Sequence, residues 1–340
     1  MAPAAPERSY PKQGPRFAVS QGLITVLLAL AVLLVACVIF APTSVQRGTL
    51  LGMLPFAAVL VIVSLGQTLV VQQGGIDLSV PGAVSLAVVI CTHEPRGADS
   101  RLLGAVALAL GVAVVAGIGN GLLIGRLGLN PIVATLGMNA LLYAGVLGIS
   151  GGAPRRTTDL LASIANGRTL GVPNAVYFAV AALIVVVIAV KVTVAGRRFE
   201  AVGANPVASW ATGIKVTRHR AGAYIWAQVL YWLAGVLLAG IIVQPTAFQG
   251  DEYLLPSVAA VVLGGTSLLG GRGYLVATAV AALFLSQLEQ FVLALGVSFA
   301  VRTLVEAAAL AVGVALYTVN WRALRERLFG SMSQPAASPR

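Results

Sequence analysis

The chain alternates long uncharged apolar runs with short segments that carry most of its charges. Six runs of more than 20 residues contain no Asp, Glu, Lys or Arg: 21–41, 48–76, 102–125, 127–154, 169–190 and 221–250. About 20 apolar residues are needed for a helix to cross the hydrocarbon core of a bilayer. Shorter uncharged runs lie at 78–92, 253–271, 273–288 and 307–321. The pattern predicts a protein that crosses a membrane many times.

The predicted fold is an all-α polytopic membrane protein, because unbroken apolar runs are typical of helices and alternating ones of barrel strands. Composition agrees, with 58% hydrophobic and 10% charged residues, against roughly 25% charged in soluble domains. We expect about ten membrane helices, the third and eighth of them short or broken: 21–41, 50–72, 79–92, 102–125, 131–149, 175–194, 221–243, 256–270, 274–295 and 300–319.

The distribution of basic residues predicts the orientation. With an even number of helices and both termini in the cytoplasm, fifteen of the 22 Lys and Arg residues lie inside and seven outside, as the positive-inside rule requires. This topology accounts for the net charge of +11, so nucleic acid is not an expected partner. We expect a disordered cytoplasmic tail at 1–20, a permease domain at 21–320 and a second cytoplasmic tail at 321–340. Cys37 and Cys91 fall in apolar spans and are expected to be buried thiols.

A first interruption of the apolar pattern lies at 74–82, with the sequence Gly-Gly-Ile-Asp-Leu-Ser-Val-Pro-Gly. Paired glycines relax the backbone, and Asp77 or Ser79 can cap the helix that follows. A carboxylate at membrane depth is costly and should face protein or water. Two interpretations remain open, an ordinary helix cap and a direct role of Gly75, Asp77 and Ser79 in a translocation path, for which Asn120 is a further candidate.

A second interruption at 264–273 has five glycines in ten residues. A helix interior would not tolerate this composition, because each glycine costs about 1 kcal/mol relative to alanine. The segment around Gly264 and Gly265 therefore predicts close backbone packing or a re-entrant turn. It is not a phosphate-binding loop, since no Gly-Lys-Ser/Thr ending is present.

The third feature is a charged, helix-capable segment at 196–213 between two long apolar runs. Asn205 and Pro206 form an N-cap and first-turn pair, and Gly213 is suited to end the short helix. A helix lying on the membrane surface is one interpretation. A helix inserted into a partner protein is favoured by small residues expected to be exposed, Gly203, Ala204, Ala208 and Ala211, with Trp210 as an anchor in that partner or at the interface.

These three segments together resemble the permease family of ribose-type sugar ABC importers, over roughly residues 50 to 320. The matching motifs are GGIDLSV at 74–80, GRRFEAVGANPVASWATGI at 196–214 and SVAAVVLGGTSLLGGRG at 257–273. The segments at 120–138 and 170–173 fit the same family. The resemblance implies a dimeric channel in the bacterial inner membrane, formed with an identical or paralogous second copy. Its further implied partners are two ABC ATPase subunits or domains and a periplasmic or extracellular sugar-binding protein.

Within this resemblance the segment 195–220 corresponds to the cytoplasmic coupling loop. The residues carried over to contact with the ATPase are Glu200, Gly203, Asn205, Pro206, Ala208, Trp210 and Gly213. ATP and Mg²⁺ are expected on the ATPase, so no cofactor and no metal is expected on this chain, which is a non-catalytic subunit. Pro81 replaces a glycine that is usual in the family, and the sequence Leu-Leu-Pro-Ser at 254–257 replaces a more acidic pattern.

The function expected from the sequence is translocation of a monosaccharide such as a pentose or hexose. Two other transport functions stay open, an ion-coupled secondary transporter and an ABC permease for a non-sugar solute. Secondary transporters also use broken helices, but the carboxylates deep in the predicted spans, Asp77, Glu289 and Glu306, form no obvious ion-coupling cluster. The polar residues Gln67, Asn120, Asn139, Gln228 and Gln287, with Glu289 and Glu306, are expected either to line a hydrated path or to join helices.

Overall fold

The computed structural model describes residues 21–298 and the single positions 301, 304, 307 and 308. The described part is mainly helical. Its α-helices are α1 Gln21–Phe40, α2 Arg47–Gln72, α3 Val80–His93, α4 Leu102–Gly121, α5 Pro131–Ser150, α6 Asp159–Asn166, α7 Asn174–Val187, α8 Val194–Ala204, α9 Pro206–Ala211, α10 Val216–Ile242, α11 Leu254–Leu263 and α12 Leu275–Ala294. The strands β1 Arg168–Thr169 and β2 Val172–Pro173 form a small antiparallel pair between α6 and α7.

Short helical segments extend several of these elements. A π-helical turn, Leu122–Arg126, continues α4, and another, Ile188–Val192, continues α7. Turns of 3-10 helix lie at Pro42–Val45, Asp99–Arg101 and Asp251–Tyr253. Seven helices of the described residues are long and apolar enough to cross a membrane, and α3 is a shorter apolar helix. The prediction of a helical, multi-pass membrane protein is therefore confirmed.

Helices correspond to nine of the ten predicted spans, and the tenth, 300–319, lies almost entirely outside the described residues. The predicted span 256–270 is wrong in its extent, because α11 ends at Leu263. The chain then passes through Gly265 and Gly270 with φ of 86° and 88°, a left-handed conformation that helices do not contain. The sequence pattern did not predict α6, which is short and less apolar than the spans, and α8 overlaps the segment 196–213 that it marked as helix-capable.

The centre of the bundle is α10, which packs against α2, α3 and α4. Glycines allow these helices to approach closely, as small residues do at helix contacts in membranes. A Cβ atom at Gly117 of α4 would lie 2.7 Å from the Cα atom of Ile225. A Cβ atom at Gly66 of α2 would lie 2.6 Å from the Tyr231 ring. The backbones at these glycines therefore lie too close to the neighbouring helix to leave room for a side chain.

The loops fall into two groups at opposite ends of the bundle. At one end, the Gln73 Nε2 atom donates to the Phe199 carbonyl (2.9 Å) and the Gly271 N–H donates to the Gln72 carbonyl (3.0 Å). At the other end, the Thr157 N–H donates to the Val243 carbonyl at 2.8 Å. The loops predicted to share one side of the membrane thus meet one another. We call α8 and α9 the handle, and the end of the bundle that carries them the handle end.

We predict that Gly235→Ala destabilises the bundle by about 1 to 3 kcal/mol, the usual cost of overpacking. The added methyl group would lie 2.6 Å from the Val84 carbonyl oxygen and 2.7 Å from the Ala87 Cβ atom of α3. Gly222→Ala, also in α10, is the matched control, because nothing lies within 4 Å of its added Cβ atom. The free energy of unfolding in mixed detergent micelles measures both. Equal effects of the two substitutions would contradict the packing described here.

Candidate functional site

The handle consists of α8 and α9, two short helices. A side chain caps the N-terminus of each of them. The Thr193 hydroxyl accepts the Gly196 N–H (2.9 Å) at the start of α8. The Asn205 Oδ1 atom accepts the Ala208 N–H (3.0 Å), and Pro206 occupies the first turn of α9. The predicted N-cap and first-turn pair is therefore confirmed.

The end of α9 is a Schellman motif. Gly213 has φ of 82°, and its N–H donates to the Trp210 carbonyl at 2.9 Å. The N–H of Ile214 donates to the Ser209 carbonyl at 3.0 Å. These two bonds satisfy carbonyl groups that would otherwise be free at the helix end. The left-handed conformation at position 213 favours glycine. Gly213 thus ends α9 as the sequence indicates.

One face of α9 is apolar and open. Val207 is 76% exposed and Trp210 74% exposed, and Ala208 and Ala211 beside them are also exposed. Basic side chains stand next to this face, where an open cleft of about 540 Å³ is lined by Arg126, Trp210, Gly213, Ile214, Lys215, Val216, Thr217 and Arg218. The arrangement presents a small apolar surface with cationic neighbours at the handle end.

Gly203 does not belong to this open face, so the expectation that it is exposed is wrong. A Cβ atom there would overlap the carbonyl oxygen of Gln72, at the end of α2. Gly203 is small because α8 lies directly on the α2 backbone. Glu200 is likewise engaged within the chain, since its Oε1 atom pairs with Lys191 Nζ and accepts from Gln72 Nε2 at 3.4 Å.

The end of α2 is the junction between the handle and the second glycine-rich segment. The Gln72 carbonyl accepts the Gly271 N–H, and the Gln72 side chain fills the space where Gly273 would carry a Cβ atom. Lys191 donates to the Gly273 carbonyl at 3.2 Å in addition to its ion pair with Glu200. The handle is therefore joined to α2, α7 and the start of α12.

The first interruption forms a fully buried polar cluster. Asp77 Oδ1 accepts the Ser79 N–H (2.9 Å) and the Ser79 hydroxyl. The same hydroxyl oxygen accepts from Asn120 Nδ2 at 3.2 Å and from Gln228 Nε2 at 2.7 Å. All four side chains have 0% exposure. This group, the Ser79 cluster, joins the start of α3 to α4 and α10.

The structure brings Gly75 close to the Ser79 cluster but places Gly264 and Gly265 elsewhere. Gly75 lies against the hydroxyl group of Tyr224, on the same helix as Gln228. Gly264 instead packs on Thr278 of α12, and its carbonyl lies against Gly22 of α1. The residues predicted to form a translocation path or a helix break thus lie in two different places. One group is in the core, and the other is between α1 and α12.

Most polar residues of the spans that the structure describes join helices. Gln67 accepts from the Tyr231 hydroxyl at 3.0 Å, and Asn139 accepts the Gly82 N–H at 2.8 Å. Gln287 donates to the Ser44 carbonyl at 3.4 Å. Sequence reasoning missed the junction residues Gln72, Gln73 and Lys191. The pair of glutamines directly before Gly74 is the signal that could have marked the helix end.

Comparison with known proteins places these features in a class of membrane transport subunits. The chain belongs to a family of transporter permease components, whose model, described as "Branched-chain amino acid transport system / permease component", matches residues 49–319. Relatives of the chain include proteins named as import permeases for ribose, fructose and autoinducer 2. Members of the family have a role in transport rather than catalysis. No solved structure matches the chain.

Three relatives illustrate the similarity. The ribose import permease protein of Escherichia coli K12 is 33% identical over 295 residues, which are 85% of this chain and 91% of the relative. The fructose import permease protein of Bifidobacterium longum is 31% identical, covering 82% and 83%. The autoinducer 2 import system permease protein of Photorhabdus temperata is 31% identical, covering 74% and 78%.

We predict that Asp77→Asn is tolerated better than Asp77→Leu. Asparagine keeps an oxygen for the Ser79 N–H, whereas leucine leaves two buried donors of Ser79 without an acceptor, at about 1 to 3 kcal/mol each. The yield of monodisperse protein in detergent, measured beside solute uptake, tests this. Normal folding of Asp77→Asn together with abolished uptake would show that the carboxyl group acts directly in transport.

Proposed function

We propose that this chain is the transmembrane subunit of an ABC importer that translocates a monosaccharide delivered by an extracytoplasmic binding protein. A separate ATPase drives the cycle through α9. The observation that carries the proposal is the handle, a capped helix with an open apolar face, held on α2 and α12 by Gln72 and Lys191. Membership of the permease family supports it.

The proposed mechanism is alternating access driven from outside the membrane domain. Closure of the ATPase dimer on ATP and Mg²⁺ moves α9, and α8 moves with it because the two helices are joined only by Asn205. α8 is tied in turn to the end of α2 by the bond from Gln73 to the Phe199 carbonyl. Displacement of the handle is thereby passed to the break between α2 and α3.

The handle end is assigned to the cytoplasm of a bacterial cell, and the chain to its inner membrane. This orientation places both termini inside, with ten membrane helices and short tails at 1–20 and 321–340. The basic residues around α9 then lie on the positive-inside face and near lipid headgroups. In this arrangement Glu200, Gly203 and Asn205 shape the handle, while Ala208 and Trp210 make contact with the ATPase. The channel is completed by a second copy, identical or paralogous.

The substrate proposed is a pentose or hexose, because relatives over most of the chain are named for ribose and fructose. A non-sugar solute is the second candidate, favoured by the family description, which names branched-chain amino acids, and by the autoinducer 2 relative. Uptake of radiolabelled ribose, fructose and leucine by the assembled transporter, each in competition with the others, separates the two candidates.

We predict that uptake requires a separate ATPase. Proteoliposomes that contain the chain with its cognate ATPase and binding protein should accumulate solute when ATP is enclosed. Omission of the ATPase should reduce accumulation to background. Undiminished uptake driven by an ion gradient alone would assign the chain to secondary transport instead.

We predict that Ala208→Trp weakens association with the ATPase, because a bulky side chain overpacks a close contact. Gly203→Trp is not a suitable test, since it would clash with the Gln72 carbonyl within the chain. Leu170→Trp is the control, because Leu170 is 94% exposed in the turn between β1 and β2, away from the handle. Pull-down of the ATPase by each variant measures association.

If Ala208→Trp associates with the ATPase at the wild-type level and stimulates it normally, α9 is not the docking surface. Loss of association by both variants would point to a general folding defect, which size-exclusion chromatography of each variant detects.

A further inference from the structure

Three buried oxygen atoms of the Ser79 cluster have no hydrogen-bond donor. They are Asp77 Oδ2, Asn120 Oδ1 and Gln228 Oε1. In each side chain the orphaned oxygen shares a carbon atom with the atom that is hydrogen-bonded to Ser79 Oγ. The three oxygens therefore belong to side chains that bind the same hydroxyl group, and these side chains have 0% exposure.

Rotation of the two amides cannot give all three oxygens a donor. The Ser79 hydroxyl has one hydrogen, which it donates to Asp77 Oδ1, and its oxygen accepts from Asn120 and Gln228. A rotated amide would direct its oxygen at a hydroxyl that has no further hydrogen to donate. In either orientation of the amides, at least one oxygen of the cluster is therefore left without a donor.

The charges around Asp77 do not supply that donor. Neither ion pair formed by the described residues, Arg156 with Asp159 and Lys191 with Glu200, includes Asp77. On α10, the hydroxyls of Tyr224 and Tyr231 lie within electrostatic range of Asp77. Tyr231 donates to Gln67. Arg220, one turn before Tyr224, forms no ion pair with Asp77 in the described structure.

From α4 and α5 only uncharged polar groups face this region, namely the Asn120 amide and the hydroxyl of Thr135, which accepts the Leu78 N–H at 2.9 Å. A buried carboxylate without a cationic partner is strongly disfavoured, and such groups commonly become neutral instead.

We propose that Asp77 is a neutral carboxylic acid whose proton sits on Oδ2 and is donated to the amide oxygen of Asn120 or Gln228. The proton changes Oδ2 from an orphaned acceptor into a donor, so one hydrogen satisfies two of the three oxygens. A buried water molecule would suffice for the third. The cluster is then an uncharged joint between α3, α4 and α10, and it binds one proton rather than a metal cation.

Infrared spectroscopy of the full chain tests this, because a protonated carboxyl group has a C=O band separate from those of carboxylates. The sample is kept at neutral pH in a detergent without ester groups. Incorporation of aspartate labelled with ¹³C in its side-chain carboxyl should shift the band to lower wavenumber. The chain has four aspartates, and Asp99, Asp159 and Asp251 are exposed, so a label-sensitive acid band can arise only from Asp77.

The expected result is a label-sensitive band in the wild type and in Asp251→Asn, and its complete loss in Asp77→Asn. Because the labelled wild type is informative alone, the test holds even if Asp77→Asn fails to fold. A wild type without the band in both sodium and choline chloride would overturn the proposal and make Asp77 an anion. A band present in choline and absent in sodium would also overturn it, in favour of a bound sodium ion.

Discussion

The carbonyl group of Gln72, at the last residue of α2, is the contact on which the arrangement of the handle end depends. It accepts the Gly271 N–H and lies where Gly203 would carry a side chain. Two segments far apart in sequence can approach this one group because both supply glycine there. A larger side chain at position 203 would separate α8 from α2, and one at position 271 would strain a backbone with φ of 99°. The glycines therefore have a packing role that their sequence motifs do not reveal directly.

The same helix end connects this contact to the interior of the bundle. Asp77 follows Gln72 by five residues, and its cluster joins α3 to α4 and α10. In a bilayer such polar contacts cannot be exchanged for water, so each side chain must find its partners inside the protein. The bundle thus contains a continuous series of contacts from α9 to the centre of α10, which suits a subunit that is moved from outside the membrane.

The sequence predicted the class of fold well because apolar run length is a direct consequence of bilayer thickness. It also predicted the ends of α9, since Asn205, Pro206 and Gly213 act through local backbone geometry. The sequence-based predictions were wrong where the structure depends on contacts between residues far apart in sequence. Gly203 looked exposed because nothing near it in sequence reveals Gln72, 131 positions earlier. α11 ends early because two glycines after Leu263 outweigh the apolar character of the residues that follow.

The candidate residues of the translocation path show the same limit of sequence reasoning. Asp77, Ser79 and Asn120 lie in one cluster, but periodicity could not show that they have no exposure to solvent. Gly264 and Gly265 share a motif type with Gly74 and Gly75 yet pack between α1 and α12. Similar glycine pairs therefore pack against different helices in this chain.

The central claim, that α9 is the surface on which the ATPase docks, is tested most directly by cross-linking from Ala208→Cys. The two native cysteines, Cys37 and Cys91, are buried, so a membrane-impermeant, cysteine-directed photo-cross-linker reacts at the new site in inside-out vesicles. The account predicts a covalent adduct with the ATPase subunit, and a matched Leu170→Cys variant in right-side-out vesicles should give none. Adducts with lipid alone from Ala208→Cys, in inside-out vesicles that retain ATP-driven release of enclosed solute and binding protein, would contradict it.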